Sequence, residues 1–505
     1  MEVTVDNINC VLTKSKSSER DFVEETLSFW VSGAEYSQAY RKGYWDGYRR
    51  LYRRGARNFL SGLLPLVAKA CAGGNITLSI IDRRDRPKRA ISTNLSTESW
   101  VSLLESSGIR NPSYARCKLQ VDGIKTILHN RFGDLRWSRG IIQLPTGTGK
   151  TILAAGLIQT LYDLPSLFLV DRKDPLWQTK EVFEKLFDDK IGIIGDGKLD
   201  IQHHTVATVQ SVSNALKSSR PFARYLGTIG LLVVDECHKV ANNNYLKVIR
   251  NIPAYFRIGL SATALERESV DTLYLIGALG DVIYELSSQE AVKRGFLAKP
   301  IVRFIQIKEP VINTHAIYSG NVEERQQAAR ENYQEVYRVG VVENETRNKR
   351  IIRFTKKAFE KGYPTMVLVR SLYHGRALTR NIRKSLPEAV VEYLSGADAS
   401  IRRRETTRRF RSGKVDVLIA STIFDEAVDI PNIRYLILAG GGKSPIKSIQ
   451  RIGRGMRKKK GENILRVIDF FDQTHKYLLE HSLARLKVYE RKGYTIKAKG
   501  IVTDD

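Results

Sequence analysis

Gln143-Leu144-Pro145-Thr146-Gly147-Thr148-Gly149-Lys150-Thr151 is the segment whose residue types and order most directly define a chemistry. It follows an apolar run expected as a strand and precedes the helical run Ile152–Tyr162. In that setting a glycine-rich loop wraps phosphates with its backbone N–H groups at a helix N-terminus. Pro145, Thr146, Gly147, Thr148 and Gly149 are then the cradle, Lys150 reaches the β- and γ-phosphates, and the Thr151 hydroxyl ligates Mg²⁺. The loop departs from G-x-x-x-x-G-K-[ST] at one place, where Leu144 stands at the first glycine. Leu231-Leu232-Val233-Val234 runs straight into Asp235-Glu236-Cys237-His238. An apolar strand ending in two carboxylates carries both to the carboxyl edge of a parallel sheet, where doubly wound folds bind ligands. Asp235 is expected to hold Mg²⁺, and Glu236 to orient and deprotonate an attacking water. The cofactors expected are therefore ATP and Mg²⁺.

The elements that must position these groups are legible as short apolar runs separated by helical stretches. Ile141–Leu144, Ser166–Val170, Thr205–Thr208, Leu231–Val234 and Arg257–Leu260 have the Val, Ile and Leu content of strands buried on both faces. The rhythm returns at Thr365–Val369, Val390–Tyr393, Val415–Ala420, Tyr435–Ala439 and Leu465–Phe470, with a polar helical segment Asn321–Arg353 before it. The fold class expected is α/β, two tandem doubly wound parallel-sheet lobes behind a small N-terminal α/β domain. In that domain Met1–Val5 and Ile76–Ile81 read as strands and Leu60–Cys71 as a helix. The expected boundaries are 1–110, 111–295 and 296–505, the first at the turn-rich Ser107–Pro112 and the second between Ala291 and Pro300.

The 505 residues carry 82 Lys+Arg against 54 Asp+Glu, a net charge of +28. Such a surplus implies a polyanionic partner, with nucleic acid first and an anionic membrane surface behind it. Hydrophobic content of 42% excludes a mainly disordered chain. The four cysteines, Cys10, Cys71, Cys117 and Cys237, are scattered and form no C-x-x-C, which argues against a disulfide framework or structural zinc. The N-terminus has no apolar core of a secretory signal, and no stretch approaches the roughly 20 apolar residues of a membrane span. A soluble, cytoplasmic protein is expected, with no membrane partner; a monomer is compatible with everything in the sequence.

The order P-T-G-T-G-K-T, D-E-C-H and then Ser261-Ala262-Thr263 resembles the superfamily 2 helicases and translocases, whose lobes are RecA-like. The resemblance demands a late Q-x-x-G-R-x-x-R, and the chain has Gln450-Arg451-Ile452-Gly453-Arg454-Gly455-Met456-Arg457. Arg454 and Arg457, three apart, are expected on one helix face, where they serve the γ-phosphate. With these arginines in the second lobe, the hydrolytic site is expected to be complete only when the lobes close, which converts hydrolysis into stepping. Further roles are implied by the resemblance alone. Gln120, in Arg116-Cys117-Lys118-Leu119-Gln120, reads adenine or is an exposed helix residue, and Asp429 belongs to the nucleotide set. Arg172, Thr208, Gln210, Arg370 and Thr422 match motifs that contact nucleic acid, and His238, Ser261, Thr263 and Gln450 match positions coupling the two activities. Ala427 replaces the usual glycine two residues before Asp429.

Residues 40–54 concentrate Arg41, Lys42, Arg49 and Arg50 around Tyr44, Trp45 and Tyr48. That mixture suits phosphates and stacked bases, or else Trp45 is a core residue beside a solvated basic face. The G-x-W-D-G stretch, the helicase core in the same order and the overall length are similar to the phage UvsW-type branch-migration helicases. This implies an ATP-dependent DNA helicase acting on branched DNA, with Holliday-junction branch migration, fork regression and D- or R-loop unwinding in recombination, repair and replication. The partners implied are branched or duplex DNA, single strands, and RNA within R-loops, in the host cytoplasm of a phage. An RNA helicase and a duplex-DNA translocase subunit without strand separation remain the alternatives.

Overall fold

A computed structural model describes residues 1–31, 33–87, 95–109, 112–240, 243–263, 270–311, 332–421, 433–442, 445–459 and 461–497. The chain divides into two compact units, one of Met1–Pro145 with Gly149–Leu286, the other of Thr146–Thr148 with Ser287–Asp505.

The first unit holds two large sheets and two two-stranded ribbons. The N-terminal one has the strand order Asn58–Leu60, Asn9–Lys14, Glu2–Val5, Ser79–Asp82, antiparallel except for the last pair. Alternation along Glu2–Val5 puts Val3 and Val5 inside, where they meet the helix Leu64–Gly73 through Leu64 and Val67. That helix starts later than its apolar spacing suggests, because a 3-10 turn at Ser61–Leu63 precedes it and Pro65 occupies its first turn.

The second sheet has eight strands in the order Lys198–Asp200, Gly192–Gly195, His204–Thr208, Ser166–Val170, Leu231–Asp235, Phe256–Ser261, Arg139–Gln143, Val282–Glu285. All pairings are parallel except that of the edge strand Lys198–Asp200. All five residues of Ser166–Val170 are buried, as a strand sandwiched between helix layers requires. The edge strands Lys198–Asp200 and Val282–Glu285, and Gly192–Gly195 beside the first of them, lack the dense apolar run that made the central strands readable.

The N-terminal sheet shares its apolar core with the eight-stranded sheet. One apolar core runs from Val3, Cys10, Phe59 and Leu63 into Ile141, Leu275 and Leu279. Gly62 packs its backbone against the Ile276 and Gly277 carbonyls, an approach that leaves no room for a Cβ. Arg139, buried at the start of the strand entering the glycine-rich loop, donates to Ser61 Oγ (2.6 Å) and to the Asn7 carbonyl (3.0 Å). Burial pulls this guanidinium down to about 10. Its face lies over Trp137, which also receives Arg84.

The second unit is a seven-stranded, wholly parallel sheet, ordered Val391–Leu394, Val417–Ala420, Thr365–Leu368, Tyr435–Ile437, Ile464–Asp472, Lys299–Ile307, Thr495–Lys497. Lys299–Ile307, one of its two longest strands, alternates buried and open residues and carries two charges, so it has no continuous apolar run to betray it. Of the polar helical segment, residues 332–342 are helical and a second helix spans Glu345–Phe359. Two buried ion pairs tie sheet to helices: Arg347 with Asp472, and Arg485 with Asp469 (2.9 Å), whose carboxylate also accepts from Tyr489. The architecture is that of two RecA-like doubly wound lobes with a small N-terminal α/β domain.

Candidate nucleotide site and nucleic-acid interface

Parallel register brings four segments to one sheet edge. Ser166–Val170, Leu231–Asp235, Phe256–Ser261 and Arg139–Gln143 are consecutive neighbours, with Asp235 opposite Leu260 and Ser261 opposite Gln143. The carboxyl ends of these strands therefore present Asp171, Asp235-Glu236, Ser261-Ala262-Thr263 and the glycine loop side by side. The Leu144 amide donates to the Ser261 carbonyl (3.0 Å), fixing the start of the loop.

Gly147 (φ +88°) and Gly149 (φ +99°) both take the left-handed backbone that the loop needs, and Gly149 is the N-cap of the helix Lys150–Thr160. The first turn of that helix has no acidic residue, so its positive end is left for an anion. Lys150 Nζ lies back across the loop, donating to the Leu144 carbonyl (3.1 Å). Pro145 and Thr148 are buried, while Thr146 and Thr151 are half-buried. A Cβ on Gly149 would meet Gln120 Nε2 at 2.6 Å. Gln120 is thus buried under the loop rather than exposed, and its Oε1 accepts from Trp100 Nε1 (2.8 Å). The cradle fits a nucleotide polyphosphate.

Burial drives the Asp235 carboxyl above its ordinary value, Glu236 repels its charge further, and Lys150 partly offsets both. A carboxylate so placed gains from a cation. Among the described residues no cluster of three or more His, Cys, Asp or Glu stands ready to hold a metal by itself. The oxygen donors Asp235 and Thr151 instead fit a hard divalent ion that completes its shell with phosphate oxygens and water. Glu236 adopts φ 47°, a left-handed conformation that a non-glycine residue holds only when its surroundings impose it. Its Oε2 lies 3.3 Å from His238 Nδ1, which lies 3.2 Å from Ser261 Oγ, which accepts from the Thr263 amide at 3.1 Å. A continuous polar line therefore joins the Glu236 carboxylate to Ser261 and Thr263.

Three residues to which the sequence assigned no role, Asp171, Lys239 and Tyr245, join the same edge. Asp171 accepts from Lys239 Nζ and Tyr245 OH, tying the segment that carries Arg172 to the one after Asp235-Glu236. Burial raises the Asp171 carboxyl, but the Lys239 ammonium and the Tyr245 hydroxyl bring it net below its ordinary value. Both Asp171 and Lys239 flank the quoted motifs, so adjacency was the available signal. Arg172 is exposed, with Nε 3.4 Å from Asp171. Thr208 is buried as the N-cap of Val209–Ser218, accepting from the Ser211 amide, whereas Gln210 in the first turn of that helix is exposed.

In the second unit the helix Pro445–Gly455 contains Gln450 and Arg454, but Arg457 lies beyond it. The expectation of one helix face is thereby corrected. The chain turns after Gly453, and Arg457 enters an isolated antiparallel bridge with Leu297. A Cβ on Gly455, the last residue of the helix, would meet the Leu465 side chain at 2.8 Å. Arg370 follows the strand Thr365–Leu368, donates to Tyr333 OH (3.3 Å) and lies over the Tyr337 ring. Thr422 and Asp429 lie outside the described residues.

In residues 40–54 the aromatic roles differ from the sequence expectation. Trp45 is half-buried and donates Nε1 to the Tyr48 carbonyl (2.7 Å), bracing its own turn. The open rings are Tyr44 and Tyr36, 82% and 74% exposed, with Trp30, Tyr40 and Tyr48 forming an edge-to-face cluster nearby. Lys42 and Arg49 are exposed, Arg41 donates to the Glu35 carbonyl, and Arg50 is held by Asp46 and Glu24.

Domain comparison finds "Type III restriction enzyme, res subunit" over residues 116–266 and "Helicase conserved C-terminal domain" over residues 344–459. Together with the site geometry these define the class: the chain belongs to the superfamily 2 helicases, and it is an ATP-dependent, nucleic-acid-acting enzyme of that group. Among individual relatives it is 24% identical over 507 residues to the ATP-dependent DNA helicase uvsW of Enterobacteria phage T4, covering 95% of this chain and 94% of the relative. It is 26% identical over 371 residues to the DNA 3'-5' translocase XPB2 of Sulfurisphaera tokodaii, covering 66% and 77%. Of solved structures, S. cerevisiae Dbp5 bound to RNA and ADP BeF3 matches at TM-score 0.50 and 18% identity, covering 81% of this chain and 95% of that one. A putative HsdR subunit fragment from Vibrio vulnificus matches at TM-score 0.53 and 19% identity, covering 79% and 73%. These two likenesses establish the fold. Among the described residues no helix is long and apolar enough to cross a membrane.

Proposed function

We propose that this protein is an ATP-driven DNA helicase acting on branched DNA, remodelling junctions, forks and D- or R-loops in recombination, repair and replication. The similarity to uvsW along nearly the whole of both chains, N-terminal module included, is the observation that carries the reading. In it the loop Pro145–Thr151 binds the phosphates, Lys150 neutralises their charge, and Gln120 supports the loop from beneath. Glu236 orients and deprotonates the attacking water. Bound Mg²⁺, held by Asp235 and Thr151, would supply charge neutralisation at the phosphates. Arg454 and Arg457 stabilise charge on the γ-phosphate, and Asp429 belongs to the nucleotide set. Gln450 joins His238, Ser261 and Thr263 in coupling. Arg172, Gln210, Arg370 and Thr422 track the nucleic-acid backbone, with Thr208 capping the helix that presents Gln210. Residues 1–110 form the recognition module, residues 111–295 the first helicase lobe and residues 296–505 the second. Four buried free cysteines suit a reducing cytoplasm.

The exposed Tyr36 and Tyr44 beside Lys42 and Arg49 support base stacking and phosphate binding at the module. The test is ATP hydrolysis with matched single strand, duplex, four-way junction and RNA at one salt concentration. The junction should stimulate most, and Tyr36→Ala with Tyr44→Ala should lower that preference. Strongest stimulation by RNA would overturn the DNA assignment. A second reading, a duplex translocase that separates no strands, is favoured by the XPB2 likeness and predicts equal stimulation by duplex and junction.

A further inference from the structure

The second lobe carries a groove that none of the motor motifs uses. It has a volume of about 720 Å³ and lies over one face of the strands Lys299–Ile307 and Ile464–Asp472. Its lining includes Ile301 and Ile464 of these strands, Lys357 at the end of the helix Glu345–Phe359, and Lys361 and Tyr363 just beyond it. The opposite face of the same sheet is filled, for Phe304 packs on Tyr489 of the helix Lys476–Arg491. The groove face is left open because Arg303 stands in the middle of a strand and is exposed there.

Its charge is one-sided. Five cations, Arg303, Lys357, Lys361, Arg466 and Lys497, line it against two carboxylates, Glu360 and Glu462. Glu462 is already paired with Arg466 (2.8 Å). Arg303, Lys357, Lys361 and Lys497 have no ion-pair partner among the described residues, and all four are exposed. Two tyrosines complete the lining. Tyr363 has the Arg466 guanidinium over its ring, and Tyr435 is half-buried beside Arg303.

We infer that this groove is a second nucleic-acid site, binding a single-stranded or frayed segment through its phosphates, with bases against the tyrosines. Unpaired cations spread along a groove with aromatic faces are what sequence-independent strand binding needs. An acidic peptide would satisfy the charge but leave the two tyrosines without a role. The site is separate from the motor edge. Tyr435 pairs with Thr365 at the amino end of the sheet, and from Thr365 to Arg370 the chain advances on the order of 15 Å. The inference rests on the branched-DNA reading and deepens it: an enzyme that works on junctions must hold more than one arm, and this groove grips an arm other than the one being tracked.

The experiment uses the full chain. Ultraviolet crosslinking to a four-way junction with single-stranded extensions, followed by peptide mapping, should place adducts on Tyr363 or Tyr435. The surface variant Arg303→Gln, Lys357→Gln, Lys361→Gln should lower the slope of log K against log salt by about 2, since each phosphate that a cation neutralises on a single strand contributes ~0.7. Absence of adducts at both tyrosines together with an unchanged slope would overturn the groove while leaving the motor intact. A wild-type chain that binds no nucleic acid at all would instead overturn the function on which it rests. Loss of the adducts to millimolar ADP but not to competing oligonucleotide would make this a nucleotide site and sink the strand assignment. Displacement by an acidic peptide but not by oligonucleotide would sink it equally.

Discussion

Lys239 Nζ donates to Asp171 Oδ2 at 2.6 Å, joining the end of one strand to the 3-10 turn Cys237–Lys239 that follows Asp235-Glu236 on the next strand. Tyr245 OH holds the other carboxylate oxygen at 3.0 Å. The segment that presents Arg172 therefore cannot shift without pulling on the segment that presents Glu236.

Asp171→Asn should cut nucleic-acid-stimulated hydrolysis about tenfold or more and cost about 1–3 kcal/mol of stability, since Lys239 loses its counter-charge in a half-buried site. The folded carboxyl lies below its ordinary value, so its stabilising contribution is present above the ordinary carboxylate range and is lost as pH falls through the folded value. Urea midpoints of wild type and variant should therefore converge on acidification. A gap that stays constant would disprove the ion-pair account.

Lys150→Ala should lower ATP turnover by about 100-fold or more, because the ammonium is the phosphate loop's own charge. Single-strand affinity should change by less than about threefold. Normal hydrolysis by this variant would refute the site assignment.

Ser261→Ala removes the hydroxyl between His238 and the Thr263 amide. Strand displacement should fall further than hydrolysis does, raising the ATP consumed per base pair opened. Equal losses in the two assays would show that the polar line does no coupling.

Ser61→Ala leaves one Arg139 nitrogen buried without its acceptor and should cost about 1–3 kcal/mol. Gly62→Ala should cost more, since its methyl meets the Ile276 carbonyl. Deleting residues 1–110 should give an aggregating protein rather than a lobe with intact ATP binding, because the deletion bares Ile141, Leu275 and Leu279. A soluble, cooperatively unfolding deletion variant would contradict the shared core.

The phosphate loop, the Asp235-Glu236 strand end and the central strands could be read from sequence because each is a local pattern: glycines where φ is positive, apolar runs where both faces are buried. Ser166–Val170 was legible to the residue, whereas Lys299–Ile307 was not, since its open face carries Arg303 and its alternation imitates a surface strand. Arg454 and Arg457 show the limit of spacing arguments, for three residues apart means one face only while the helix lasts, and here it ends at Gly455.

By itself, then, the sequence determined the class of motor and marked the residues proposed to meet ATP, because phosphate chemistry demands particular side chains at short, fixed separations along the chain. Only the tertiary structure decided that Arg139 reaches Ser61 and Asn7, that Asp171 meets Lys239, that Tyr44 rather than Trp45 is the open ring, and that a basic groove lies on the second sheet. Each of these joins residues distant in sequence, or turns on which side of a ring is covered, and such pairings are set by the packing of whole layers rather than by neighbours along the chain.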